Sequence, residues 1–186
     1  MTPKGKVTEL LSAYAQGDRA AMDGLFELVY GELRHLAGRQ LRRIGSKTMS
    51  SADLVHEVYI KLAGKDRWHA EGRGHFFALA ARVMRQILVD RARSRLRQKR
   101  GGALERVVLD EAHQAVRRHA ETVLAIDQAL IRLADLDPRL VRVVECRYFA
   151  GLSEEETAEV LAVSPRTVER DWRRAREMLR RELSAS

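Results

Sequence analysis

The sequence predicts an all-α protein in which two small helical domains flank a linker, the C-terminal domain being a helix-turn-helix. The chain has 186 residues, of which 45% are hydrophobic, and only three are prolines. Apolar residues recur at spacings of three and four, and no stretch alternates β-branched with polar residues. Gly101 and Gly102 interrupt the pattern. We therefore expect an N-terminal domain over 1–100, a linker over 101–120 and a C-terminal domain over 121–186.

The charge of the chain indicates a polyanionic partner. Its formal net charge is +8 at pH 7. Because no apolar stretch is long enough to span a bilayer, we expect that partner to be nucleic acid rather than a membrane. The first residues lack the apolar core of a signal peptide, so we expect a cytoplasmic protein.

Residues suited to metal or catalytic chemistry are few. Cys146 is the one cysteine, which excludes an intrachain disulfide and a thiolate metal cluster, and its apolar neighbours predict a buried, inert thiol. None of the six histidines forms an HxxxH pair beside a carboxylate. No phosphate-binding loop and no nucleophile with an adjacent base is visible. We therefore predict no metal, no cofactor and no catalytic residue.

The first two predicted helices are a short one and a long one. Thr8 is placed to cap a helix over 9–16, which Gly17 ends. Asp18 is placed to cap a second helix, whose apolar face extends to about Arg42. This apolar face is typical of a helix that contributes to the core.

The third predicted helix begins with Ser50 and Asp53, which have the form of a capping box. Its sequence holds more apolar residues than one buried stripe needs, with acids between them. The extra apolar edge indicates a contact with another protein. The apolar residues are Leu54, Val55, Val58, Tyr59 and Leu62.

The next loop and helix carry aromatic and cationic side chains. The loop from Lys65 to Gly74 holds Trp68 and His69, and such an aromatic residue either belongs to a binding element or closes the core beneath the loop. The fourth helix, from about His75 to Lys99, changes from an apolar first half to a cationic second half. A block of like charge repels itself unless an anion lies beside it, so we expect phosphates there, the alternative being a solvated helix end.

Two helices are predicted between the linker and the C-terminal motif. The linker itself is expected to be partly helical. One helix covers Thr122 to Leu136, and Asp137 and Pro138 provide an N-cap and a first helical residue for the next, which Gly151 ends. Apolar residues of both helices would form a small core under the motif.

Two helix starts and a tight turn lie within residues 152–176. Ser153 is placed to cap a helix with an acidic first turn, and Ser164 to cap a second helix that begins with a proline. Val168 and Trp172 begin a series at helical spacing, continued by Ala175 and Leu179, that should face inward.

Two helices joined by a short turn, the second with a basic outer face, have the geometry that places side chains in the major groove of DNA. An amphipathic hairpin with a solvated charged face is the alternative. The candidate DNA-binding residues of this motif are Ser164, Arg166, Thr167, Glu169, Arg170, Arg173 and Arg174.

These motifs, in this order, resemble the extracytoplasmic-function group of bacterial sigma factors over about Gly17 to Leu183. The segment ADLVHEVYIKL from Ala52 to Leu62 is similar to the family's polymerase-binding helix, with His56 in place of the usual Gln. The segment from Phe76 to Arg91 resembles the promoter-melting helix. The C-terminal motif resembles the element that reads the minus-thirty-five promoter box.

The resemblance implies core RNA polymerase and promoter DNA as partners, and many relatives have an anti-sigma factor as a further partner. Because Phe76 and Phe77 are adjacent, at least one of them should lie in the core. The polymerase-binding residues would be Asp53, Leu54, Val55, Glu57 and Val58. The residues on the melted strand would be Trp68, His69, Phe76, Phe77, Arg82, Arg85, Gln86, Arg91 and Arg93.

Two further positions depart from the family pattern. Ala162 stands where a turn glycine is usual, which is tolerable if its φ is negative, and Gln86 stands where Asn is frequent. We expect a promoter-specificity factor without catalysis of its own. The alternatives are a stand-alone helix-turn-helix regulator, which would bind a specific duplex without polymerase, and an enzyme acting on nucleic acid.

Overall fold

A computed structural model describes residues 4–46, 49–64, 68–98 and 111–184, and these residues form helices joined by short turns. The predicted all-α class is confirmed. The helices are α1 (Lys4–Ala15), α2 (Ala20–Arg43), α3 (Ser51–Ala63), α4 (Arg73–Gln98), α5 (Glu111–Leu136), α6 (Pro138–Val144), α7 (Glu154–Leu161) and α8 (Pro165–Ser184). Helix α6 continues into a π-helical stretch, Glu145–Ala150, which we call the π segment.

Helices α1 to α4 form the N-terminal half. The apolar face of α2 is buried as predicted, with Leu25 and Leu33 fully inside. Helix α1 begins at Lys4, earlier than predicted, because Val7 is also buried and the helix extends to include it. Asp18 accepts a hydrogen bond from the Ala20 amide (3.0 Å), which supports the start of α2.

Helices α5 to α8 and the π segment form the C-terminal half. The predicted cap of α6 is confirmed, since the Asp137 carboxylate accepts a hydrogen bond from the Arg139 amide (3.0 Å). Gly151 ends the π segment with a φ of +73°, a conformation that glycine adopts without strain. Helix α5 begins at Glu111 rather than at Thr122, so the end of the expected linker is helical, while residues 101–110 lie outside the described part of the chain.

One apolar cluster extends through both halves. Phe76 and Met84 of α4 belong to the same buried cluster as Val123 and Leu130 of α5 and Phe149 of the π segment. Helix α4 therefore contributes to the N-terminal core and also packs against the C-terminal half. This position decides which side chains of α4 are exposed.

Candidate nucleic-acid and polymerase interface

Helices α7 and α8 follow one another across a tight turn, where the sequence predicted a helix-turn-helix, and their N-termini are capped as the sequence indicated. The Ser153 hydroxyl accepts a hydrogen bond from the Glu156 amide (3.1 Å), and the Glu156 carboxylate accepts one from the Ser153 amide (2.9 Å). At the start of α8 the Ser164 hydroxyl accepts a hydrogen bond from the Thr167 amide (3.2 Å). Such caps fix where each helix begins.

The turn between the two helices has an unusual backbone conformation. Ala162 has a φ of +53°, so the condition for an alanine without strain, a negative φ, is not met. The left-handed conformation allows the Ala162 and Val163 amides to bond carbonyls at the end of α7. Because alanine has a Cβ atom, this conformation carries steric strain that glycine would not.

The inner face of α8 is packed against α6 and α7. Val168 and Ala175 are fully buried, and Val168 contacts Val143 and Ala158. Asp171 also lies on this face, only 2% exposed, and its carboxylate accepts hydrogen bonds from Arg139 Nε (2.7 Å) and from Arg170 Nε (3.2 Å). Helix α8 is therefore held by apolar contacts and by an ion pair between the buried Asp171 and the partly exposed Arg139 at the start of α6.

The outer face of α8 carries the predicted DNA-binding side chains. Arg173 contacts Glu169 one turn earlier (2.7 Å), and Arg174 lies 3.7 Å from Asp137. Thr167 is half-buried and the others of the set are exposed. The exposed residues are Ser164, Arg166, Glu169, Arg170, Arg173 and Arg174.

Helix α3 buries the apolar residues that were expected to contact polymerase. Leu54, Val55 and Val58 are at most 2% exposed, because α2 and α4 pack on two sides of α3 and together cover its broad apolar surface. In this structure they present almost no surface to a partner, and their contact with polymerase stays a prediction. The exposed side of α3 instead carries Asp53, His56 and Ile60, the last with 54% of its surface exposed.

Two acidic residues of α3 have defined partners. The predicted capping box is confirmed, since Asp53 accepts a hydrogen bond from the Ser50 amide (3.1 Å) while its own amide donates to the Ser50 hydroxyl (3.1 Å). The hydrogen bond with the Ser50 side chain is the largest cause that holds the pKa of Asp53 below its usual range. Glu57 is half-buried and ion-paired with Arg91 of α4.

The aromatic residues expected to stack on bases are packed inside. Trp68 stacks on Tyr14 with ring centroids 4.7 Å apart and donates a hydrogen bond to the Leu62 carbonyl (3.2 Å), so it closes the core beneath its loop. Phe76 and Phe77 are both buried, whereas only one of them was required to be. In this conformation Phe76 and Phe77 present no ring face to a base, Trp68 is half-buried with one ring face on Tyr14, and His69 is exposed.

The polar residues of α4 that were expected to contact the melted strand all lie beside carboxylates. Arg85 donates to Asp127 (2.7 Å) and to Glu145 (3.0 Å), and Arg93 donates to the second oxygen of Asp127 (3.0 Å). Arg82, which is exposed, lies 3.8 Å from Glu145. The remaining contacts are those of Gln86 with Asp90 (3.1 Å) and of Arg91 with Glu57.

Comparison with known proteins identifies the family. A family model described as ECF sigma factor matches residues 4–185. The chain belongs to the ECF sigma factor family. Two similar relatives, from two strains of Mycobacterium tuberculosis, are both named ECF RNA polymerase sigma factor SigM. Each is 31% identical over 175 residues, which cover 93% of this chain and 82% of the relative.

An ECF sigma factor is a transcription initiation factor that acts with RNA polymerase, and family membership implies core polymerase and promoter DNA as partners. In the described ranges, no helix has the length and apolarity needed to cross a membrane. Within the same part of the chain, no group of three or more His, Cys, Asp or Glu side chains is arranged to hold a metal ion.

Three buried carboxylates of this ECF sigma factor were missed by the sequence reasoning. Asp127 lies between Val123 and Leu130 on the apolar face of α5, and Glu145 follows a run of valines. Asp171 follows Val168 by three residues, which places it on the inner face of α8. An acidic residue at an inward position indicates a buried cation partner, and that signal was present in each case.

Proposed function

We propose that this ECF sigma factor directs RNA polymerase to specific promoters by reading duplex DNA with α8 and by holding a melted strand against α4. The observation that supports this most is the exposed, mostly cationic outer face of α8, on a helix whose inner face is fixed by Val168, Asp171 and Ala175. A rigid helix with exposed arginines suits both phosphate contacts, which position the protein, and base contacts, which specify the sequence.

Initiation with purified components tests the proposal. The protein is added to sigma-free bacterial core polymerase on genomic DNA fragments, and we expect transcripts that start at discrete sites. Arg173→Glu should abolish these starts and leave polymerase association unchanged, because the Arg173 side chain is 76% exposed and its ion pair is with an exposed residue of its own helix. Arg180→Glu, an equally exposed charge reversal further along α8, is the matched control and should retain initiation.

The melted strand would run along the exposed side of α4. Arg82, Gln86 and Arg93 are exposed and share one face of the helix, whereas Arg91 is half-buried and lies on the opposite side, beside Glu57. At about 1.5 Å of rise per residue, the three exposed side chains are spaced along α4 so that each could contact a phosphate of one strand. His69 is the aromatic residue in the neighbouring loop that is free to stack on a base.

Core polymerase would bind the exposed side of α3, with Ile60 as the apolar contact and Asp53 and His56 beside it. An amphipathic helix surface of this kind is a frequent recognition mode between proteins. Ile60→Asp should weaken association with core polymerase in a pull-down or gel-filtration assay. Leu183→Asp, at an exposed leucine of α8, is the control and should leave association unchanged.

The same components separate this proposal from a stand-alone regulator. A regulator would bind a specific duplex without polymerase, with a dissociation constant of roughly 10⁻⁸ M or tighter. A gel shift on the DNA of the selected start sites, with and without core enzyme, makes the comparison. Tight specific binding by the protein alone, with no site-selective initiation, would identify a regulator instead.

A further inference from the structure

A buried carboxylate of α8 lies between two partly exposed arginines. The Asp171 side chain is only 2% exposed, and its two oxygens accept hydrogen bonds from Arg139 Nε of α6 (2.7 Å) and from Arg170 Nε of α8 (3.2 Å). The two arginine side chains are 45% and 68% exposed. Both guanidinium groups therefore have one buried anchor in common. All three residues belong to the C-terminal half, and the close approach of Gly74 to Val160, which joins α4 to α7, involves none of them.

The hydrogen bonds to this anchor leave the ends of both guanidinium groups free. Each bond uses Nε, and among the described residues neither Arg139 nor Arg170 makes a hydrogen bond through its terminal nitrogens. Those two nitrogens are parallel donors that fit the two acceptors of a guanine in the major groove or the oxygens of a phosphate. An arginine held at Nε thus keeps the donors that DNA recognition uses.

The start of α6 fixes where Arg139 lies. The Asp137 carboxylate accepts a hydrogen bond from the Arg139 amide (3.0 Å), and Pro138 is the first residue of the helix. Leu140, the next residue, is fully buried and holds this turn against the core. Arg174 of α8 lies 3.7 Å from the Asp137 carboxylate. Arg139 is therefore beside the predicted DNA-binding residues of α8, although it belongs to a different helix.

We propose that Arg139 is a further DNA-contacting residue of the C-terminal half, and that Asp171 is a positioning residue that holds Arg139 and Arg170 for the duplex. The inference rests on the proposed function, because it concerns the duplex that α8 reads. Arg170, on the exposed side of α8, reads a base, and Arg139, on the neighbouring helix, contacts a phosphate beside it.

A fixed anchor favours binding and specificity. A free arginine side chain loses rotamer freedom when it binds DNA, and a side chain that is already held loses less of it. The Asp171 carboxylate also offsets the repulsion between the two guanidinium charges that lie on its oxygens. Because Asp171 itself is only 2% exposed, its effect on DNA has to pass through the two arginines.

The first arm of the experiment measures the contribution of Arg139. The wild-type protein with core polymerase selects duplexes from a randomised library, and fluorescence anisotropy then gives the affinity of each complex for a selected and a scrambled duplex. Arg139→Gln should weaken the binding of both duplexes equally, about eightfold at about 0.1 M salt, as expected for one lost phosphate contact. The slope of log affinity against log salt should become shallower by about 0.9.

Arg132→Gln is the matched control for this arm. The Arg132 side chain is 46% exposed and is ion-paired with Glu182, about three helical turns beyond Arg170 on α8. The substitution removes the same charge from a similar environment at a distance from the proposed contact. It should change neither the affinity nor the salt slope.

The second arm tests Asp171 with Asp171→Asn, which keeps the shape of the side chain and removes its charge. A defect of folding would weaken the binding of both duplexes. Loss of positioning should instead lower the preference for the selected duplex about tenfold, while the scrambled duplex binds at least as tightly as before because a negative charge near the DNA is gone. In an Arg170→Gln background, Asp171→Asn should cause no further loss of preference, since both act through one side chain.

Circular dichroism and thermal melting verify that each variant is folded at the assay temperature. Nitrogen-15 NMR of the wild type tests the anchor without any substitution, and the Nε–H groups of Arg139 and Arg170 should be more ordered than that of the exposed Arg166. Equal order in all three, or an unchanged salt slope in Arg139→Gln, would overturn the inference. Equal weakening of both duplexes by a folded Asp171→Asn would do the same.

The outcomes separate this inference from the proposed function. If the wild type initiates at discrete sites but Arg139→Gln and Asp171→Asn bind DNA as the wild type does, only this inference is refuted. If both variants behave as expected but no transcripts start at discrete sites, only the proposed function is refuted. If the wild type selects no duplex, both are refuted.

Discussion

Ala162 holds the turn between α7 and α8 in a left-handed backbone conformation, with a φ of +53°. The free-energy cost of this conformation is about 1 kcal/mol higher for alanine than for glycine. We therefore expect Ala162→Gly to raise the free energy of unfolding by up to about 1 kcal/mol, which corresponds to a rise of about 2–4 °C in melting temperature for a chain of this size. Thermal melting followed by circular dichroism measures it. Unchanged or lowered stability would show that the strain is not significant.

Asp171 connects α8 to α6 through its bonds with Arg139 and Arg170. Asp171→Ala should lower the free energy of unfolding by about 2 kcal/mol, since charge-assisted hydrogen bonds at a buried site are lost. Glu169→Ala removes an exposed carboxylate of the same helix and should change stability by no more than about 0.5 kcal/mol. Urea denaturation of both variants provides the measurement, and equal effects would contradict the role given to Asp171.

Side-chain exposure was predictable where one helical face is apolar and the other charged. Helix α8 has this pattern, and its exposed arginines and buried Val168 were placed correctly from the sequence. Helix α3 lacks this pattern, because other helices cover it on two sides. The spacing of its apolar residues therefore could not show whether Leu54 and Val55 lie in the core or at the surface. Leu54→Asp is accordingly a test of folding and not of polymerase binding.

The start of α3 depends on the capping box of Ser50 and Asp53. Ser50→Ala should lower the free energy of unfolding by about 1 kcal/mol. It should also raise the pKa of Asp53 towards its ordinary value, because the Ser50 side chain is the largest cause of the depression. A depressed pKa stabilises the folded state above the unfolded-state pKa, and that contribution is lost as the pH falls through the folded-state pKa.

Chemical denaturation gives the stability change of Ser50→Ala, and an NMR titration of Asp53 gives the pKa. Ser12→Ala, at a serine outside any cap, is the control. An unchanged Asp53 pKa in Ser50→Ala would show that another group causes the depression.

Helix α5 shows why the element boundaries were less predictable than the elements themselves. Its first turns lack a clear apolar period, and the sequence was assigned to a linker with partial helix. In the structure they are supported by contacts at helical spacing, from Arg117 to Glu121 (2.8 Å) and from Arg118 to Gln114 (3.3 Å). The buried Ala120 then joins this helix to the core. These pairs were visible in the sequence but have weak predictive value alone.

The packing of one half on the other could not be read from the sequence, because periodicity predicts that a face is buried without saying against what. The charge pattern of α4 predicted that its arginines would pair with phosphates. In the structure, Arg85 pairs with the carboxylates of Asp127 and Glu145 instead. Phosphate and carboxylate satisfy the same donors. A cationic helix therefore indicates anions without distinguishing an external partner from an internal one.

The reactivity of the Cys146 thiol reports whether the shared core opens. It is buried in the shared core, and burial raises the pKa of its thiol to about 12. Since the thiolate is the reactive form, iodoacetamide should label the native protein very slowly at pH 8 and label it fully in urea. Mass spectrometry of the labelled protein measures the rates. Rapid labelling under native conditions would show that the π segment opens readily.

The close approach of Gly74 to Val160 has an evolutionary consequence. A relative that keeps this packing and gains a larger residue at the first position needs a smaller one at the second, because a Cβ atom there would lie 2.8 Å from Val160 Cγ2. The two positions should therefore co-vary among ECF sigma factors that share the contact. Members in which both positions carry large residues should have diverged from this arrangement of the two halves.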